Sequence, residues 1–173
     1  MVDPLRHNSW ATRQLLAFCW DLTTEQLEAS SEGTYGTILA TLQHLVGAEG
    51  RYLARLAGRE FGWSRNPEET TDLEELSGMA EDTAQLWEEF VAEEFDPERL
   101  VSWVSPDSGA HNEARAGILV AQTLNHGNEH RAQIYTILTK IGIEPPDLDA
   151  WSYAMATGRF KETSAPSEPT ASV

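Results

Sequence analysis

The chain has 173 residues, with 28 Asp and Glu against 12 Lys and Arg, so its formal net charge is −16 at pH 7. That length favours a single domain with one core. The acid excess argues against nucleic acid, whose binders draw affinity from counterions displaced by Lys and Arg, and against an anionic membrane surface. One cysteine, Cys19, rules out an intramolecular disulfide and a cysteine-based zinc cluster.

Helical periodicity dominates the chain and strand signals are nearly absent. The first predicted helix runs from Pro4 to Cys19 or Trp20, where Trp10, Leu15, Phe18, Cys19 and Leu22 recur near a 3.6-residue period. A short helical piece follows, with Thr24 as the expected cap of Glu25–Glu28. The second helix spans Thr34 to Ala57 on a stripe of Ile38, Leu42, Leu45, Leu53 and Leu56, and Gly58 stops it. Gly36, Gly47 and Gly50 weaken its interior.

Residues 58–71 read as a connection. Asp72 opens a third helix that reaches Phe95, with Leu73, Leu76, Ala80, Thr83, Trp87, Phe90 and Val91 on one face. Its other face carries Glu74, Glu75, Glu81, Asp82, Glu88, Glu89 and Glu93, a solvated acidic surface. Pro97 ends it, and the stretch to about residue 112 reads as loop, with Leu100–Val104 as a short extended piece.

The fourth helix spans Glu113 to Ile141, with Ile118, Ala121, Leu124, Ile134, Ile137, Leu138 and Ile141 on its expected buried side. Gly142 and Pro145-Pro146 close it. A short C-terminal helix, Leu148 to Thr157, is expected to turn Trp151 and Met155 inward. Residues 1–160 therefore read as an all-α four-helix-bundle domain, and 161–173 as a disordered Ser/Thr/Pro/Ala tail. The start, MVDPLRHNSW, has no basic stretch leading an apolar one, and no apolar run is long enough to span a bilayer. A cytoplasmic protein is expected.

Five histidines remain. His126 and His130, in Asn-His-Gly-Asn-Glu-His-Arg, are four apart, so a helix places both imidazoles on one face one turn apart. Two such nitrogens can occupy adjacent positions around one metal ion. His44 lies mid-helix in Leu-Gln-His-Leu-Val, where a buried imidazole needs a partner. A lone core histidine bonded to a carbonyl would explain it, and a shared ligand set explains all three together. Gly127 excludes the H-E-x-x-H zinc-protease motif, and no Glu-x-x-His pair marks a di-iron bundle. His7 reads as a near-terminal surface residue and His111 as a loop residue. Cys19 reads as a small core hydrophobe.

His44-Leu-Val-Gly-Ala-Glu-Gly-Arg-Tyr-Leu and Asn125-His-Gly-Asn-Glu-His-Arg-Ala-Gln-Ile resemble the two signature blocks of the DinB/YfiT-like metalloenzymes. The resemblance runs from Leu5 to Gly142. It implies an up-down-down-up four-helix bundle and one divalent metal, often nickel or zinc, held by His44, His126 and His130. Homodimers are common among such proteins. The family often carries a further His just before the third ligand, where this chain has Glu129. The likeness implies a small-molecule substrate and a metal-dependent transferase that conjugates a low-molecular-weight thiol to an electrophile.

Two other readings stay open: a hydrolase using metal-activated water, with Glu129, Glu49 or His111 as acid or base, and a non-enzymatic metal-binding bundle. Asn125, Glu129 and Gln133 could orient the ligands or simply form polar helix surface. Arg131 fits either an anion contact or a structural pair with a carboxylate.

Overall fold

Local side-chain capping sets where four of the six described α-helices start. The elements are α1 (Val2–Cys19), α2 (Thr24–Leu27), α3 (Ile38–Ala57), α4 (Leu73–Ala92), β1 (Leu100–Val104), β2 (His111–Arg115), α5 (Ala116–Lys140) and α6 (Ala150–Ala156), with a 3-10 turn at Pro67–Glu69. They come from a computed structural model that describes residues 2–59, 63, 66–105 and 108–162. Of the expected tail, 163–173 lies outside the described residues.

Thr23 rather than Thr24 caps α2, through a reciprocal box in which Thr23 Oγ1 accepts from Gln26 N and the Gln26 side chain accepts from Thr23 N. α3 begins at Ile38, later than Thr34, because Thr37 Oγ1 accepts from Ala40 N at 3.1 Å. The residues before it form a turn closed by the Ser30–Thr37 bridge. Gly58 ends α3 in the left-handed region at φ 67°. Asp72 caps α4, which stops at Ala92 short of Phe95.

The expectation of an all-helical chain needs one correction. β1 and β2 form an antiparallel hairpin with Leu100 opposite Arg115 and Val104 opposite His111, and α5 starts after it at Ala116 rather than at Glu113. Val101 is buried and Trp103 half-buried, while Leu100, Ser102 and Val104 are exposed, the period-two pattern of a strand. β2 reads His-Asn-Glu-Ala-Arg, so it has no apolar alternation to betray it.

Four long helices pack side by side, α1 against α4 and α5, and α3 against α4 and α5. Their apolar residues form two clusters. One contains Leu15, Leu16, Ile38, Leu42, Leu76, Ile134 and Ile137. The other contains Leu5, Leu53, Leu56, Trp87, Val101 and Leu119. Each fully buried leucine or isoleucine stabilises the fold by about 1.5–3 kcal/mol before conformational entropy is counted. Between the clusters every long helix carries buried polar residues: Asn8 and Thr12 on α1, Glu49 on α3, Thr83 on α4, His130 and Arg131 on α5.

Two apolar faces differ from expectation. Ile118 and Ala121 are exposed, because the stripe of α5 runs through Ala116, Leu119, Val120, Thr123, Gly127, His130, Arg131 and Ile134. Several of those are polar or small, which hides the phase of the helix from a hydrophobicity reading. On α6, Trp151 is 65% and Met155 58% exposed. Tyr153 is the inward residue instead, 5.6 Å from the Trp10 ring and 5.7 Å from His7. No described helix is long and apolar enough to cross a membrane.

Candidate metal centre

Pairing of α3 with α5 brings His44 against His126 and His130 at the polar waist between the two clusters. One ligating nitrogen from each lies within 4.8 Å of the others. His44 Nε2 is 3.1 Å from His126 Nε2, and the His126 and His130 ring centroids are 4.3 Å apart. The sequence placed the α5 pair on one face by helix geometry; the tertiary structure sets His44 opposite them.

The surrounding hydrogen bonds prepare these nitrogens for a cation. Gln133 Oε1 accepts from the Tyr35 backbone N–H at 3.1 Å, which identifies that atom as the amide oxygen. The same oxygen is 3.0 Å from His130 Nδ1, so Nδ1 carries the proton and the Nε2 lone pair is left for a ligand role. On the other side, Glu68 Oε1 approaches His44 Nδ1 at 3.6 Å and is itself held by Arg51 at 3.2 Å. His44 Nδ1 is buried without a hydrogen bond.

Desolvation lowers the His44 pKa, with His130 and Arg51 adding to the effect. Desolvation, then His130, His44 and Arg51, bring His126 down to about 4. Both imidazoles are therefore neutral at neutral pH, the form that binds metal. Two neutral imidazole nitrogens facing each other at 3.1 Å, beside a third, form a donor set that suits a divalent ion.

Aromatic walls hold the rings. Tyr35 stacks on His44 with centroids 4.2 Å apart and planes 20° from parallel. It meets His130 edge-on at 5.4 Å, and Tyr52 meets His126 edge-on at 5.6 Å. Tyr35, Tyr52 and Glu68 escaped the sequence reading, because loop and cross-helix neighbours leave no periodic signal. Among the described residues no further His, Cys, Asp or Glu completes the group, so three imidazoles leave part of a coordination sphere open.

The other candidates fall elsewhere. Glu129 and Asn125 are exposed on α5, and His111 is exposed at the end of β2. His7 is half-buried rather than a surface residue, with Nε2 2.8 Å from the Leu148 carbonyl oxygen. Cys19 is buried, and burial pushes its thiol up to about 12.

Arg131 is 5% exposed and belongs to a buried network. Its guanidinium donates to Asn8 Oδ1 at 3.0 Å, Thr12 Oγ1 at 3.2 Å and Asn128 Oδ1 at 2.8 Å. Asn8 Nδ2 and Thr12 Oγ1 in turn donate to Glu49 Oε1 and Oε2 at 3.0 and 3.2 Å. Desolvation raises the Glu49 pKa, opposed by Arg131, Thr12 and Asn8. Glu49 is thus engaged with α1 and does not join the histidine group. The sequence signal for this network was polar residues at core phase: Glu49 inside an apolar helix, and Arg131 in line with Ile134 and Leu138.

A search of curated proteins returns no match. Among solved structures, the crystal structure of a DinB-like protein from Bacillus cereus ATCC 10987 superposes with a TM-score of 0.61 at 17% identity, covering 82% of this chain and 90% of that one. At that identity the likeness establishes the fold. The DinB family description matches residues 2–167, nearly the whole sequence. The chain belongs to the DinB family.

Proposed function

We propose that His44, His126 and His130 hold one divalent metal ion, zinc or nickel, and that the protein conjugates a low-molecular-weight thiol to an electrophilic small molecule. The observation that carries this reading is a converging three-imidazole set that, among the described residues, no further His, Cys, Asp or Glu completes. Cys19, the one thiol of the chain, is buried and held protonated by desolvation, so a sulfur nucleophile has to arrive with a cosubstrate.

A divalent ion supplies Lewis acidity at the site, which favours the thiolate of that cosubstrate at neutral pH. The remaining work falls to the chain. Gln133 fixes the tautomer and tilt of His130, while Tyr35 and Tyr52 keep the imidazoles from rotating and exclude water from their faces. In the reaction the thiol sulfur bonds to the electrophilic carbon as that carbon's bond to its leaving group breaks, and the leaving group departs with the bonding pair. The thiol proton passes to solvent or to the displaced group.

A hydrolase would need a positioned acid or base, and Glu129, Glu49 and His111 are respectively exposed, engaged in the Arg131 network and at the end of β2. The up-down-down-up order and homodimer implied by the resemblance, and the cytoplasmic location expected from the sequence, belong to the same proposal.

Elemental analysis of untagged protein should find about one metal per chain. His126→Ala should lose it, and unchanged metal content in that variant would refute the ligand set. Metal-loaded protein incubated with a thiol and an electrophile should yield conjugate by mass spectrometry. Ester or amide turnover without thiol would support the hydrolase instead. Metal-dependent melting without turnover would support the non-enzymatic bundle.

A further inference from the structure

Most of the described arginines of this acidic chain are paired with carboxylates. Arg6, Arg13, Arg51, Arg59, Arg115 and Arg159 form ion pairs with Glu88, Glu81, Glu68, Glu89, Glu98 and Asp3. Arg99 donates to the Leu56 carbonyl, and Arg131 to the network on α1. Among the described arginines, Arg55 alone makes neither a hydrogen bond nor an ion pair, although the chain holds 28 carboxylate side chains. It is half-buried, and desolvation with Arg51 nearby pulls its pKa down without a carboxylate to restore it.

What surrounds Arg55 is aromatic. Its Cζ lies 4.9 Å from the Trp103 ring centroid and 6.0 Å from that of Tyr52. Rings over a guanidinium occupy its faces and leave its N–H edges free, and those edges match the two oxygens of a carboxylate. Tyr52 is also the ring that meets His126 at 5.6 Å, so one aromatic side chain links Arg55 to the histidine cluster. Arg51 stands one helical turn before Arg55 on α3, and its charge is felt at His44 and His126.

We propose that Arg55, with Arg51 beside it and Tyr52 and Trp103 as walls, is an anion subsite next to the three histidines, and that the small molecule handled there carries a carboxylate. The proposal rests on the metal-site reading for where the reacting end of that molecule sits; the subsite itself stands on Arg55. In a chain of net charge −16, a guanidinium without a carboxylate partner among the described residues also gives an anion an attractive place.

The test titrates metal-free and metal-loaded protein with hexanoate and with hexanamide, its uncharged counterpart. The readouts are the NMR resonances of the Trp103 indole N–H and the Arg55 Nε–H. Hexanoate should give saturable shifts, with hexanamide binding about tenfold more weakly. Arg55→Gln should lose the discrimination, while Arg59→Gln, which removes a cation paired with Glu89, should keep it.

Arg55→Lys keeps the charge but not the fork and should bind hexanoate several-fold more weakly than wild type. It keeps the test decisive if Arg55→Gln fails to fold. Equal binding of acid and amide overturns the subsite, as does undiminished hexanoate binding in either Arg55 variant. Elemental analysis of the same samples separates the two readings. Carboxylate discrimination without metal uptake retains the subsite and removes the metal, and uptake without discrimination does the reverse.

Discussion

Gly127 sits between the two α5 histidines, in a gap occupied by another helix. A Cβ built there would lie 2.2 Å from Asn8 Oδ1 and 2.9 Å from Arg131 Nη1. Gly127→Ala must therefore displace the Asn8 amide, which donates to Glu49 and accepts from Arg131. Each of these bonds involves a charged group and is worth about 1.5–3 kcal/mol. Replacing a helical glycine with alanine returns about 1 kcal/mol. The net cost is about 2–5 kcal/mol, which for a domain of this size lowers Tm by roughly 4–20 °C.

Thermal and urea unfolding followed by circular dichroism measure it. Helix propensity alone predicts the opposite sign, so a Gly127→Ala protein as stable as wild type, or more so, would refute the close approach of α1 to α5. A double-mutant cycle adds a second check: in an Asn8→Ala background the 2.2 Å contact is gone, and Gly127→Ala should lose most of its cost.

Gln133→Leu removes the acceptor of His130 Nδ1–H and should weaken metal binding about 10–100-fold in a chelator competition. Retained affinity would show that Tyr35 and packing orient the ring alone. Native Cys19, with its thiol pushed up to about 12, should react with a disulfide reagent at pH 8 only as fast as the protein unfolds. Labelling faster than unfolding would contradict its burial. The bidentate hydrogen bond from Arg6 lowers the Glu88 pKa, so this pair stabilises the fold above the ordinary glutamate value of about 4.3. That contribution is lost as pH falls through the lowered folded value. The stability gap between wild type and Glu88→Gln should close over that acidic window and stay constant from pH 6 to 8.

Much of the fold and half of the site were legible in the residues. Apolar spacing located the four long helices, and Gly58, Asp72 and Pro97 marked breaks that the structure places nearby. The hairpin was hidden because β2 is polar and its order comes from pairing with β1. Trp151 and Met155 were expected to face inward because they are large and apolar. Tyr153 takes the buried position because its ring meets Trp10 and His7 on α1.

What the sequence by itself determined is local. Four residues on a helix put His126 and His130 one turn apart whatever else the chain does, because the helical repeat is set by backbone hydrogen bonding. Only the tertiary structure decided that His44 stands opposite them, that Arg131 turns inward to Asn8 and Thr12, and that Arg55 has no carboxylate partner among the described residues. Those outcomes depend on which helix faces pack together and at what height. Periodicity defines a face but not its partner, and close packing of the whole core settles the pairing.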